Sequence, residues 1–210
     1  MKIFLTGRPG VGKSTVLEKL RELLLEKGYR VGGVFCPEMR RDGVRVGFRI
    51  VDVGSGRSGV LSQVGAGSGP RVGKYMVSLR DLEEVGVEAL DTAVKEADVV
   101  LIDEVGPMEM KSRPFQVAVL RTLASSKSVI GILHWRMEHP VVSTIKARGD
   151  VEILEVTPQD RDGLPFLLIS YLEKEGVRPS RGQTPDWTLC YDPRYPNRGY
   201  WYTRNTDPPE

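Results

Sequence analysis

Lys13 and Ser14 end the run Gly7-Arg8-Pro9-Gly10-Val11-Gly12-Lys13-Ser14, which matches G-x-x-x-x-G-K-[ST]. Each fixed position has a chemical reason. Glycines permit the torsions that turn successive N–H groups inward, making a nest for anionic oxygens. A helix starting near Lys13 adds its positive N-terminal end. Lys13 is expected to neutralise β- and γ-phosphates, and Ser14 to place its hydroxyl on Mg²⁺. The loop, taken from Gly7 to Thr15, therefore implies binding of a nucleoside triphosphate with Mg²⁺. A chance match in a chain of this glycine content arises roughly once in a hundred sequences. The strand–loop–helix context needed to support the match is present on both sides.

The second chemical signal is Asp103-Glu104, directly after the apolar run Val99-Val100-Leu101-Ile102. Such a run reads as a strand buried on both faces. Ligands of an α/β sheet bind in the crevice at the carboxyl ends of its strands. Asp103 can hold Mg²⁺, directly or through water, opposite Ser14. Glu104 can polarise a water for in-line attack on a γ-phosphate. Side chains alternate along a strand, so one carboxylate takes the metal position and the next acts from a displaced spot. An acidic pair at a strand end is weak evidence alone, and gains its meaning from the phosphate loop. The turn at Gly106-Pro107 bends the chain away and keeps the pair at the sheet edge.

The elements that must position these groups follow from periodicity. Ile3 to Thr6 predicts a short buried strand. Val16, Leu17, Leu20, Leu23 and Leu24 predict one buried face of a helix from Lys13 to about Lys27, stopped by Gly28. Further strands are expected at 30–36, 98–103, 128–134 and 151–156, and helices at 81–96, 114–123, 140–146 and 164–174. Strands at 44–53 and 59–64, joined by the Gly-Ser-rich turn 54–59, predict an inserted antiparallel hairpin. Alternating strands and helices predict an α/β fold, a mostly parallel sheet flanked by helices on both faces. The Gly-rich stretch 66–73 reads as a loop that could close over phosphate.

Composition bounds the rest. A chain of 210 residues fits one α/β domain with a short appendage. The division expected is 1–175 for the domain and 176–210 for a Pro- and aromatic-rich tail with no helical or strand period. Lys+Arg 30 against Asp+Glu 28 leaves no global basic field for nucleic acid. Cys36 and Cys190 match no metal spacing and read as free thiols of a reducing cytoplasm. No leader and no run near the ~20 apolar residues of a membrane span is visible. A cytoplasmic monomer is expected.

The segments GRPGVGKST (7–15), GFRI (47–50), VGKY (72–75) and VVLIDEVGPMEMKS (99–112) together resemble the thermophile-type nucleoside-triphosphatase family. That family includes the animal cancer-related nucleoside-triphosphatase. The last segment is the most specific, because Asp-Glu-(Val/Ile)-Gly followed by Met-Glu is not generic to phosphate loops. The resemblance covers about 1–174 and leaves out the tail. It implies a RecA-like P-loop fold and slow Mg²⁺-dependent hydrolysis of ATP, GTP, CTP, UTP and TTP to diphosphates, with poor base selectivity. It also implies that Gly7, Arg8, Pro9, Gly10, Val11, Gly12, Lys13 and Ser14, with Val99, Val100, Leu101, Ile102, Asp103, Glu104, Val105 and Gly106, line the nucleotide site.

Other residues stay open. His134 could sense a γ-phosphate, or be a strand-end histidine with a structural hydrogen bond. Arg113, Arg136 and Arg148 are candidates for an arginine stabilising transition-state charge, with a solvated surface arginine the plainer reading of each. Arg49 and Lys74 sit in family-like segments without an assigned place. In the tail, Arg194, Arg198 and Arg204 interleave with aromatics, as in single-strand nucleic-acid platforms, while nearby acids offset them. A P-loop kinase and a nucleotide-gated RNA-binding module using the tail are the competing functions.

Overall fold

The computed structural model describes residues 1–65 and 67–180 together with the backbone of two strands, 187–191 and 199–203. The elements in chain order are β1 (Lys2–Thr6), α1 (Lys13–Glu26), β2 (Val31–Phe35), β3 (Glu38–Arg41), β4 (Val44–Asp52), β5 (Ser58–Val64), β6 (Arg71–Val72) and β7 (Tyr75–Val77). There follow α2 (Leu79–Asp81), a π turn (Leu82–Val87), α3 (Glu88–Glu96), β8 (Val99–Val105), a 3₁₀ turn (Glu109–Lys111) and α4 (Arg113–Ala124). The domain ends with β9 (Ser128–Leu133), α5 (Pro140–Ala147), β10 (Glu152–Glu155) and α6 (Leu164–Lys174).

The main sheet has the order β10-β1-β9-β8-β2-β4-β5-β7-β6, with β3 paired to β4 off this path. The strands β10, β1, β9, β8 and β2 are mutually parallel. Their side chains alternate between two cores, as strand geometry requires. Ile3 and Leu5 of β1, with Val99 and Leu101 of β8, pack beneath α1 and α6. Phe4, Val100 and Ile102 face the other way, among Leu90, Phe115, Val119 and Ile145 of α3, α4 and α5. Leu17, Leu20 and Leu24 of α1 are fully buried, each worth on the order of 2 kcal/mol of apolar burial. The sheet is thus covered on both faces, as the strand–helix alternation predicts. No helix among the described residues is long and apolar enough to cross a membrane.

The antiparallel insert is larger than the hairpin expected from sequence. It carries β4 and β5 as predicted, and adds β3, β6 and β7. The stretch 66–73 is not loop throughout, since Arg71–Val72 pairs with β7; Ala66 is outside the described residues. In β3 and β4 the turn residues Asp42 and Gly43 have φ of 50° and 75°. Positive φ at both positions is the hairpin turn that Asp-Gly favours.

The chain remains tied to the domain just past α6. Tyr29 Oη donates to the Val177 carbonyl at 3.2 Å, and the Ser180 N–H donates to Asp98 Oδ2 at 3.0 Å. Farther on, β11 (Trp187–Tyr191) and β12 (Gly199–Thr203) pair antiparallel, so a strand pattern exists where none was expected. Aromatic residues favour strands even where polar residues blur the alternation. Arg194, Arg198 and Arg204 lie outside the described residues, as do the side chains of Cys190 and the tail aromatics.

Candidate active site

Parallel pairing puts the carboxyl ends of β1, β9, β8 and β2 at one edge, and each hands its next residues to the same cleft. From β1 comes the phosphate loop. Gly7 has φ 137°, and a Cβ there would lie 2.8 Å from the Val156 carbonyl, so only glycine fits. Gly10 and Gly12 also hold positive φ, at 77° and 107°. Gly12 caps α1 without any side-chain hydrogen bond, whereas Ser112 and His139 cap α4 and α5. No side chain among the described residues caps the first N–H groups of α1, which suits them to receive an anion. Lys13 Nζ donates to the carbonyls of Gly7 at 2.9 Å and Arg8 at 3.1 Å. The lysine is thereby folded back along the loop it serves.

β8 delivers the acidic pair. Ser14 Oγ donates to Asp103 Oδ1 at 3.2 Å, joining residues 89 positions apart. Asp103 is buried, and its carboxyl is pushed up to about 7 by burial and by the neighbouring Glu104 charge, against the Ser14 hydrogen bond. Burial also raises Glu104, while His134 and Lys13 pull it back down. A third acid joins them: Glu109 is buried, accepts the Gly106 N–H at 3.1 Å, and is pushed up to about 8 by burial and by Glu104. Its position on the 3₁₀ turn after Gly106-Pro107 carries no periodic signal, so it was not anticipated.

The cleft has a volume of about 940 Å³. Of the expected site residues, Gly7, Pro9, Gly10, Gly12, Lys13, Ser14, Thr15, Asp103 and Glu104 line it. Val99, Val100, Leu101, Ile102 and Val105 are fully buried in the two cores and do not line it. They hold the strand in place; the part of that run that meets the cleft narrows to its two carboxylates. Val11 packs against the core, and the Arg8 guanidinium lies 5.7 Å from the Trp135 ring centroid.

His134 and Trp135 also line the cleft, because β9 sits between β1 and β8. The His134 Nδ1 atom is buried with no hydrogen-bond partner among the described residues. The three arginines singled out by sequence do not reach the cleft. Arg148 pairs with Asp150 and donates to the Leu123 carbonyl. Arg136 stacks on Trp135 at 4.3 Å, and Arg113 opens α4. Arg49 bonds Ser58, and Lys74 lies over Tyr75 at 5.5 Å. The arginines that do line the cleft are Arg40 and Arg45. Both belong to the β3–β4 hairpin, whose Asp42-Gly43 turn was the readable signal.

Gly106 lies against the carboxyl groups of Glu104 and Glu109. A Cβ on it would lie 2.3 Å from Glu104 Oε1 and 3.0 Å from Glu109 Oε2. Gly106→Ala is expected to leave the melting temperature nearly unchanged, because only the ends of flexible side chains must move. Any activity that depends on Glu104 should fall at least ~10-fold, since small misplacements of a reacting group are costly. Calorimetry and turnover on the same sample check both halves.

Ser14 and Asp103 offer a hydroxyl and a carboxylate, the hard oxygen donors that Mg²⁺ takes. Among the described residues no group of three or more His, Cys, Asp or Glu could hold a metal. A cation here would accordingly share its ligation with phosphate oxygens and water. That suits Mg²⁺, which keeps water and substrate oxygens rather than an all-protein cage.

Known proteins agree with this architecture. The profile of a family described as NTPase matches residues 2–169. The nucleoside-triphosphatase THEP1 of Thermofilum pendens is 51% identical over 162 residues, covering 77% of this chain and 89% of that one. Its namesake from Methanopyrus kandleri is 46% identical over 171 residues, covering 81% and 94%. The crystal structure of THEP1 from the hyperthermophile Aquifex aeolicus superposes with a TM-score of 0.71 at 33% identity, covering 82% of this chain and 99% of that one. The solution structure of a human cancer-related nucleoside triphosphatase gives a TM-score of 0.71 at 34% identity, covering 82% and 97%. With residues 2–169 matched by the family and a relative 51% identical over 162 residues, this chain belongs to the NTPase family.

Proposed function

We propose that the chain hydrolyses nucleoside triphosphates to diphosphate and phosphate with Mg²⁺, discriminating little between bases. The observation that carries this reading is the Ser14–Asp103 hydrogen bond. It closes the phosphate loop onto β8 and leaves Glu104 facing the same cleft. The N–H groups of Gly10 to Ser14 and the Lys13 ammonium hold the β- and γ-phosphates. Ser14 and Asp103 are the residues that would hold Mg²⁺. When bound, Mg²⁺ would supply positive charge to offset that of the phosphates. Glu104 orients a water and takes its proton as the water oxygen bonds to the γ-phosphorus. The bond from that phosphorus to the bridging oxygen breaks, and the diphosphate departs with the electron pair. Residues 1–175 are proposed to carry this activity.

Base tolerance is supported by the relatives' names, which specify no base. Phosphate release from purified ATP, GTP, CTP, UTP and TTP tests both points. Rates within ~10-fold of one another are expected, a spread of no more than ~1.4 kcal/mol. EDTA should abolish release, and Mg²⁺ in excess should restore it. Release that waits for a phosphate acceptor would make the chain a kinase instead.

A further inference from the structure

The hairpin β3–β4 rises from the carboxyl end of β2, the edge that carries the cleft. Across it Arg40 and Arg45 are direct partners in the strand register. Like charges placed opposite one another destabilise an antiparallel pair. Here the pair is held by a single carboxylate. Glu38 accepts from Arg40 Nε at 2.9 Å and from Arg45 Nη1 at 2.8 Å. Two guanidiniums on one carboxylate leave the trio net positive. Arg45 is held further by Tyr75 Oη, which accepts from its Nε at 3.0 Å, and by the Phe48 ring, 5.3 Å from its Cζ. Phe48 and Tyr75 in turn pack edge to face at 5.5 Å. Arg40 also reaches Glu38 through Nη2 at 2.7 Å and donates from Nη1 to the Gly43 carbonyl at 2.8 Å; each guanidinium has five N–H donors, so some remain on both.

The cleft gives this arrangement a use. Among the described residues that line it, the cations are Lys13, Arg40 and Arg45. Lys13 stands on the floor with Asp103, Glu104 and Glu109, and the two arginines stand on the insert. We propose that Arg40 and Arg45 are catalytic residues that take the non-bridging oxygens of the terminal phosphoryl group, stabilising its charge as the bond to the diphosphate breaks. This rests on the hydrolase reading above. The hairpin thereby supplies from within the chain what the arginines at 113, 136 and 148 do not. Glu38 holds both forks beside the cleft until phosphate displaces part of its share.

The test uses the purified full-length chain with Arg40→Ala, Arg45→Ala and the double variant. Arg121→Ala, whose arginine pairs with Asp91 away from the cleft, serves as the charge control. Circular dichroism verifies folding. Turnover, binding of triphosphate and diphosphate, and trapping of diphosphate with aluminium fluoride are then measured. The double variant should lose at least ~10²-fold in kcat and fail to trap aluminium fluoride, while diphosphate affinity changes less than ~3-fold. Arg45→Lys, which keeps charge but not the fork, should recover little of the loss. It also serves if Arg45→Ala does not fold. The proposal falls if the folded double variant turns over at the wild-type rate. It also falls if triphosphate and diphosphate binding weaken equally with kcat intact, which would mean uniform binding only. Glu104→Gln measured alongside separates the two ideas: a dead Glu104→Gln beside an active double variant refutes the arginines and leaves the hydrolase reading standing.

Discussion

Glu104→Gln is expected to bind nucleoside triphosphate with near wild-type affinity and to turn it over on the order of 10³-fold more slowly, within the range for losing a general base. The amide keeps the shape of the side chain, so the cleft and Lys13 are undisturbed. What it cannot do is accept the proton of the attacking water. Burial raises Glu104, while Lys13 and His134 oppose that rise and favour the ionised form a base requires. Calorimetric titration with triphosphate and measurement of released phosphate separate affinity from turnover. Unchanged release would remove Glu104 from the chemistry.

Lys13→Ala is expected to fail earlier, at binding. The ammonium spans the loop from the Gly7 carbonyl to the Arg8 carbonyl. Its removal takes away both a charge for the phosphates and a tie across the loop. Triphosphate affinity should fall on the order of 10²-fold, the worth of one or two charged hydrogen bonds. Turnover should fall with it. The contrast between the two variants is the informative part: Glu104→Gln retains a titratable complex and Lys13→Ala does not. Equal affinity in both would show that loop N–H groups alone hold the phosphates.

The parts legible in sequence were those whose chemistry is local. The spacing of Gly7, Gly12, Lys13 and Ser14 encodes a backbone path, and the path is present. Val99 to Glu104 announces a buried strand ending in acids, and the strand runs on to Val105. The hairpin arginines were illegible for a physical reason. The sequence of β3, Glu-Met-Arg-Arg, has no apolar face to bury, so its strand state comes from pairing with β4 rather than from its own pattern. The Asp42-Gly43 turn could have signalled the hairpin, but was not read as one. His134 meets Glu104 through sheet order, a long-range fact that no window of residues contains. Arg148 was suspected from type alone and proved to pair with its own neighbour Asp150.

The position of β1 has a consequence for how the protein is made. Its two partners in the sheet, β9 and β10, come from residues 128–133 and 152–155. A growing chain on the ribosome therefore exposes β1 with both edges open until about three-quarters of the domain has emerged. Parallel, distant pairings of this kind slow folding, and open apolar edges invite association with other chains. The phosphate loop follows β1, and just past β10 the Val156 N–H donates to the Thr6 carbonyl at 2.8 Å, so the strand that carries the loop is paired along both edges only when β10 arrives.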